Sequence, residues 1–104
     1  MTSTKQIKNI VELITGAIKV KEIILFGSYA YGNPDKNSDI DLCIITEEKK
    51  RKIELVDEIR QLLLRKVHLP LDILVYSPEE FKERANWLNS MEKTIAQKGV
   101  VLYA

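Results

Sequence analysis

The 104-residue sequence is poor in the residues that most often betray a reactive site: it holds one cysteine, one histidine and one tryptophan, with 7% aromatics. The lone Cys43 excludes an intrachain disulfide and any cysteine-cluster zinc site. His68, also alone, has no second imidazole beside it and is given no catalytic role. An excess of one charge is missing too, since 16 Lys plus Arg against 15 Asp plus Glu leave a formal net charge of +1. So even a balance gives no field to steer the chain onto DNA or RNA. Long hydrophobic runs are absent: stretches such as Ile23-Ile24-Leu25-Phe26 fall far short of the roughly 18 to 20 residues that cross a bilayer. Lys8, Asn9 and Glu12 break the N-terminal apolar pattern before a secretory core forms. The expectation is a cytoplasmic protein with no membrane and no direct nucleic-acid partner. Its 45% apolar and 30% charged residues suit one domain over residues 1–104, whose function must come from a local site.

What is present is periodicity. Ile7, Ile10, Val11, Ile14 and Ile18 recur at helical spacing and predict an amphipathic helix over about 4–19. Lys21-Glu22 separates it from a short buried strand at Ile23 to Phe26, stopped by Gly27. Residues 28–35 read as a loop, with room for about one helical turn before the turn formers Gly32-Asn33-Pro34-Asp35. From Asp39 to Thr46 a period of two puts Asp39, Asp41, Cys43 and Ile45 on one face of a second strand. Ile53, Val56, Ile59, Leu63 and Val67 predict a helix over 49–67. Leu71 to Tyr76 is a third strand with Asp72, Leu74 and Tyr76 on one face. Ser77-Pro78-Glu79-Glu80 carries a capping serine, a first-turn proline and a glutamate three residues after the cap, so the next helix starts at Pro78. It bends near 86–90, resumes to Lys98 and ends at Gly99, before an extended tail at 100–103. The fold class is therefore α/β: a mixed three- to four-stranded sheet packed with about four helices, on one face at least.

Two aspartates inside an apolar strand are costly unless something compensates them. Same-face neighbours on a strand lie about 6.6 to 7 Å apart, close enough for Asp39 and Asp41 to converge on divalent cations. Carboxylates without histidine or cysteine select Mg²⁺ or Mn²⁺ over zinc, and Asp72 on the next strand can supply a third. Gly27-Ser28, where a strand gives way to a helical turn, offers backbone amides and a hydroxyl to a phosphate. It is not the P-loop spelling, because no Gly-Lys-Ser/Thr follows.

Gly27-Ser28, ten residues, then Asp39-Ile40-Asp41 resembles the Gly-Ser-x(10)-Asp-x-Asp signature of polymerase-beta-like nucleotidyltransferases. With Gly27, Ser28, Gly32, Ser38, Asp39 and Asp41 all fixed, a chance match is on the order of one in ten million per window. The stretches Leu25 to Gly32 and Ser38 to Leu42 look like the minimal nucleotidyltransferases that pair with HEPN-type toxins. The resemblance implies the small nucleotidyltransferase fold. It implies Gly27, Ser28 and Ser38 as nucleotide-binding residues, and Asp39, Asp41 and Asp72 as Mg²⁺ ligands and catalytic residues, with ATP as the substrate. It further implies an antitoxin that transfers AMP to a side chain, possibly a tyrosine, of a HEPN-type toxin with which it forms a hetero-oligomer. A binding-only antitoxin without turnover and a small-molecule, antibiotic-type nucleotidyltransferase are the alternatives. Tyr29 and Tyr31 stand where many members carry arginine, which leaves Lys36 as the nearest cation in the loop.

Elsewhere the readings are plainer. Cys43, flanked by Leu42 and Ile44, is a small buried hydrophobe. Tyr29 and Tyr31 either stack on a base or pack on the sheet. Trp87 and Tyr103 are each read as core, with partner anchoring as the alternative. The run Lys49-Lys50-Arg51-Lys52, interleaved with glutamates, is a solvated helix face.

Overall fold

In the computed structural model, residues 4–32, 39–64, 66–67 and 70–104 are described. The amphipathic N-terminal pattern forms α1 (Thr4–Ala17), followed by β1 (Val20–Phe26), a one-turn α2 (Ser28–Tyr31) and β2 (Ile40–Thr46). Then come α3 (Lys52–Leu64), β3 (Leu71–Tyr76), α4 (Pro78–Ala85), α5 (Met91–Lys98) and β4 (Val100–Tyr103). The sheet order is β3-β2-β1-β4. β1 lies antiparallel to both β2 and β4, while β2 and β3 run parallel across the α3 crossover.

Alternation along the strands gives the sheet two apolar faces, and helices cover both. On one, Ile23, Leu25, Ile40, Leu42, Ile44, Ile73 and Val75 pack against Ile10 and Ile14 of α1 and Leu55, Ile59 and Leu63 of α3. On the other, Ile24, Phe26, Cys43, Ile45 and Tyr76 pack against Phe81 of α4 and Ile95 of α5. The arrangement is three-layered, helix on sheet on helix.

Several boundaries differ from the sequence reading. Lys21 and Glu22 do not separate helix from strand; they belong to β1, where Glu22 faces Ile45 across a register shift after Val20. Pairing with β2 satisfies their backbone groups, and that outweighs polar side chains at a strand start. Part of the stretch read as loop is helical, because the amides of Ala30 and Tyr31 both donate to the Gly27 carbonyl at 3.0 Å. α3 is shorter at both ends than 49–67. The two-part helix after Pro78 is as expected: Ser77 Oγ accepts from Glu80 N at 3.1 Å. Ser90 restarts the helix by accepting from Lys93 N at 3.0 Å while its hydroxyl donates to the Arg84 carbonyl at 2.7 Å. Gly99 ends α5 in an extended conformation. Its role is room, since a Cβ there would sit 2.4 Å from Ile24 Cγ2 and 2.5 Å from the Ile95 carbonyl.

The plainer expectations divide. Cys43 is fully buried, and burial, with Glu22 and Glu92 adding charge, pushes its thiol up to about 12; it is an inert core residue. The basic run is a solvated face, with Lys50 2.9 Å from Glu58 and Arg51 2.9 Å from Glu54. Trp87 and Tyr103 are not core: they are 51% and 41% exposed. Trp87 sits in the turn between α4 and α5, where the Arg84 guanidinium lies 5.4 Å from its ring centre. Tyr103 lies on the edge strand β4, with cover from β1 on one side only. His68 falls outside the described residues.

Candidate active site

β2 enters the sheet beside the end of β1, and β3 enters beside β2, so three chain segments meet at one edge. The register places Asp41 opposite Phe26 on β1 and opposite Asp72 on β3. Neighbouring strands are about 4.8 Å apart, so Asp41 and Asp72 stand side by side on the face shared with Cys43 and Tyr76. Asp39 immediately precedes β2.

Exposure falls steadily away from this edge. Along β2, Asp39 is exposed, Asp41 half-buried and Cys43 buried; along β3, Asp72 is exposed, Leu74 half-buried and Tyr76 buried. The α4 and α5 layer thus roofs the far half of the face and leaves the aspartate end open. None of the three carboxylate side chains makes an ion pair or hydrogen bond among the described residues. Their mutual repulsion is instead felt directly. Partial burial raises the Asp41 carboxyl above its ordinary value, and the charges of Asp72 and then Asp39 raise it further. Carboxylates held together with no counter-charge among the described residues mark a candidate functional site.

Gly27 forms the wall beside Asp41. Its φ of 75° and ψ of −157° lie in a region that is essentially glycine's alone. A Cβ there would stand 2.0 Å from Asp41 Oδ2. The glycine therefore lets the main chain turn directly against the carboxylate and start α2, whose Tyr29 and Ala30 pack on the core beneath. Ser28, the first residue of α2, is half-buried, and Tyr31, one turn on, is 42% exposed. Gly32 closes the turn in the left-handed region, its amide donating to Ser28 O at 3.1 Å.

Gly27, Ser28, Asp39, Asp41 and Asp72 thus come to one edge of the fold; Ser38 and Lys36 lie outside the described residues. The donor chemistry fits a hard divalent cation, being all carboxylate oxygen, with no ion-pair partner among the described residues. Among the described residues no three His, Cys, Asp or Glu side chains are placed so that together they could hold a metal ion, so the Asp39, Asp41 and Asp72 side chains would have to close in around one. An ion here would keep open positions for phosphate oxygens and water, as Mg²⁺ sites usually do.

A family model of the nucleotidyltransferase domain matches residues 4–102. The chain belongs to this family. The "Putative protein adenylyltransferase MJ0604" of Methanocaldococcus jannaschii is 33% identical over 105 residues, covering 99% of this chain and 100% of that protein. Among solved structures, a mutant of the toxin-antitoxin MntA-HpeT superposes with a TM-score of 0.62 at 22% identity over 93% of this chain and 73% of its own. A crystal structure of a toxin-antitoxin with AMP-PNP gives 0.57 at 22% identity with the same coverage. At those identities the likeness is one of fold, and the fold is the small nucleotidyltransferase architecture expected from the motif.

One buried feature of this nucleotidyltransferase domain escaped the sequence reading. Glu92 is 6% exposed and accepts a hydrogen bond from the Tyr76 hydroxyl at 2.6 Å. Burial, then this bond and the Glu92 charge, hold the Tyr76 phenol well above its usual range. The Tyr76 and Phe81 rings meet edge-to-face with centres 5.6 Å apart, and Lys52 Nζ lies 5.0 Å from the Tyr76 ring centre. The signal was available: the Ser90 cap puts Glu92 three residues before Ile95, on the buried side of α5.

Proposed function

We propose that this domain transfers AMP from ATP, with Mg²⁺, to a side-chain hydroxyl of a HEPN-type toxin, the first acceptor to examine being a tyrosine. In this reading it acts as a cytoplasmic antitoxin that neutralises the toxin in a hetero-oligomer, and residues 1–104 work as one catalytic domain. The observation that carries the reading is the glycine turn set against Asp41 with Asp72 in register beside it. This arrangement would let a phosphate approach main-chain amides beside two carboxylates. The 33% identity to a protein named as an adenylyltransferase over its full length supports the same group transfer.

Asp39, Asp41 and Asp72 would hold Mg²⁺, which supplies charge neutralisation at the attacking and leaving oxygens when bound. The amides of the Gly27-Ser28 turn, the Ser28 hydroxyl and Ser38 would hold the triphosphate. The acceptor oxygen bonds to the α-phosphorus as the bond from that phosphorus to the β-bridging oxygen breaks. Pyrophosphate departs with that electron pair, and Asp72, the more exposed carboxylate of the in-register pair, takes up the acceptor proton. Among the described residues no helix is long and apolar enough to cross a membrane.

The test is incubation of the purified domain with its co-expressed toxin, α-labelled ATP and Mg²⁺. Label on the toxin, and none on bulk RNA or DNA, is the expected result. Label on nucleic acid, or on no protein, overturns the reading. Toxin neutralised without label would mark a binding-only antitoxin, and label on an aminoglycoside-type acceptor a small-molecule enzyme.

A further inference from the structure

We propose that Leu74 is the residue by which this domain selects its acceptor, its half-buried side chain carrying the phenol ring of the incoming tyrosine while Asp72 meets the hydroxyl; this rests on the adenylyltransferase reading above. The placement follows from the register. Asp72 and Leu74 are same-face neighbours on β3, which is an outer strand of the sheet. Leu74 stands opposite Cys43 and packs against the cluster that holds Ile24, Cys43 and Tyr76, which fixes it on the face of the aspartates. One step in from the carboxylates that face is a row of Leu74, Cys43, Ile24 and Val101, one residue from each strand. Cys43 and Ile24 are buried, as is Phe26 beside Asp41 in the row before. Val101 is exposed but lies three strands away from Leu74, about 14 Å at the usual strand spacing. Of the apolar residues in these two rows, Leu74 is therefore the one that is both next to Asp72 and open to solvent.

The step between the two side chains suits a phenol. Same-face neighbours on a strand are about 6.6 to 7 Å apart, and a tyrosine ring with its hydroxyl spans that gap. With the oxygen in hydrogen-bond reach of Asp72, the ring lies along Leu74 and covers it. A serine or threonine hydroxyl sits one carbon from its own main chain, so the same reach to Asp72 would press polar peptide groups onto the leucine or leave it uncovered. Leu74 takes no proton and forms no bond in the transfer. Its part is to hold the ring, and through the ring the attacking oxygen, in a position that a shorter side chain does not reach.

The decisive experiment maps the labelled residue of the co-expressed toxin by mass spectrometry and compares transfer by the wild-type chain, Leu74→Ala and Leu74→Met, at a temperature where melting curves show all three folded. The label should lie on a tyrosine. Removing the leucine contact should slow transfer about tenfold in Leu74→Ala, Leu74→Met should restore it, and calorimetric affinity for ATP with Mg²⁺ should be the same in all three. With the labelled tyrosine of the toxin changed to serine, transfer by the wild type should fall to the level of Leu74→Ala. Label mapped to a serine or threonine overturns the proposal, whether or not the variants fold, and leaves the adenylyltransferase reading standing. Transfer by Leu74→Ala at the wild-type rate overturns it as well. So does slowing matched by an equal loss of ATP affinity, which would mark a merely structural side chain. Absence of label on any protein with the wild type removes both this inference and the functional reading.

Discussion

Replacing Gly27 by alanine separates a structural cost from a functional one at a single atom. The new Cβ would lie 2.0 Å from Asp41 Oδ2, so the carboxylate must move, and the φ of 75° penalises any side chain in addition. Backbone strain of this kind costs on the order of 1 to 3 kcal/mol, and forcing an atom into an occupied space costs about as much again. A total of about 2 kcal/mol or more, at roughly 4 to 8 °C per kcal/mol for a small domain, lowers the melting temperature by at least about 8 to 16 °C. Two other glycines calibrate the result. Gly32 also has positive φ, 93°, but open space around its missing Cβ, so Gly32→Ala should show the strain alone. Gly16, inside α1 with nothing within 4 Å, should gain up to about 1 kcal/mol as alanine. Thermal unfolding followed by circular dichroism measures all three. The double variant Gly27→Ala/Asp41→Ala should melt above Gly27→Ala, because the obstructing carboxylate has gone and the two changes couple. AMP transfer to the toxin should vanish in Gly27→Ala even at temperatures where it is folded. A Gly27→Ala protein that melts like the wild type, or labels the toxin at the wild-type rate, would refute the argument that this turn shapes the carboxylate.

Asp41 sets a pH dependence. Its carboxyl is raised above the ordinary 3.8, so the metal-free fold binds the proton more tightly than the unfolded chain does. The associated stability is complete below 3.8 and is lost as pH rises through the folded value. Asp41→Asn should therefore be as stable as the metal-free wild type or more so at neutral pH, with a flatter pH profile in urea unfolding and no stabilisation by Mg²⁺; a strongly destabilised Asp41→Asn would identify a structural carboxylate. Tyr76→Phe keeps the ring but orphans buried Glu92, which should cost about 1 to 3 kcal/mol, and an unchanged urea midpoint would refute the pairing. Trp87→Ala, at a half-exposed ring, should change stability by less than about 1 kcal/mol, as chemical denaturation will show.

The legible part of the fold was the part written in periodicity. The strand faces of Asp41 and Asp72 and the two-part helix after Ser77 could be read because alternation and capping are local signals. The candidate site could be singled out for a different reason, since aspartates inside apolar strands are costly there unless compensated, and the register does bring Asp41 and Asp72 side by side. Lys21 and Glu22 misled because cross-strand pairing is decided by residues more than twenty positions away. Trp87 and Tyr103 misled because composition says what prefers to be buried and not which positions the roof reaches. That Glu92 would find the Tyr76 hydroxyl needed the packing of α5 on the sheet, a tertiary fact.

The partial roof over the second sheet face has a consequence for selectivity. If the domain transfers AMP as proposed, an open carboxylate edge would leave attacking water and attacking side chain in competition for the same phosphorus. A docked protein surface would alter that balance by displacing solvent as it delivers its hydroxyl, strengthening every charge interaction beneath it. The acceptor in such an arrangement is also the missing wall of the reaction chamber. Discrimination among acceptors would then rest on how well a surface seals the edge, so a free tyrosine or short peptide should be a far poorer acceptor than the same tyrosine on a folded partner.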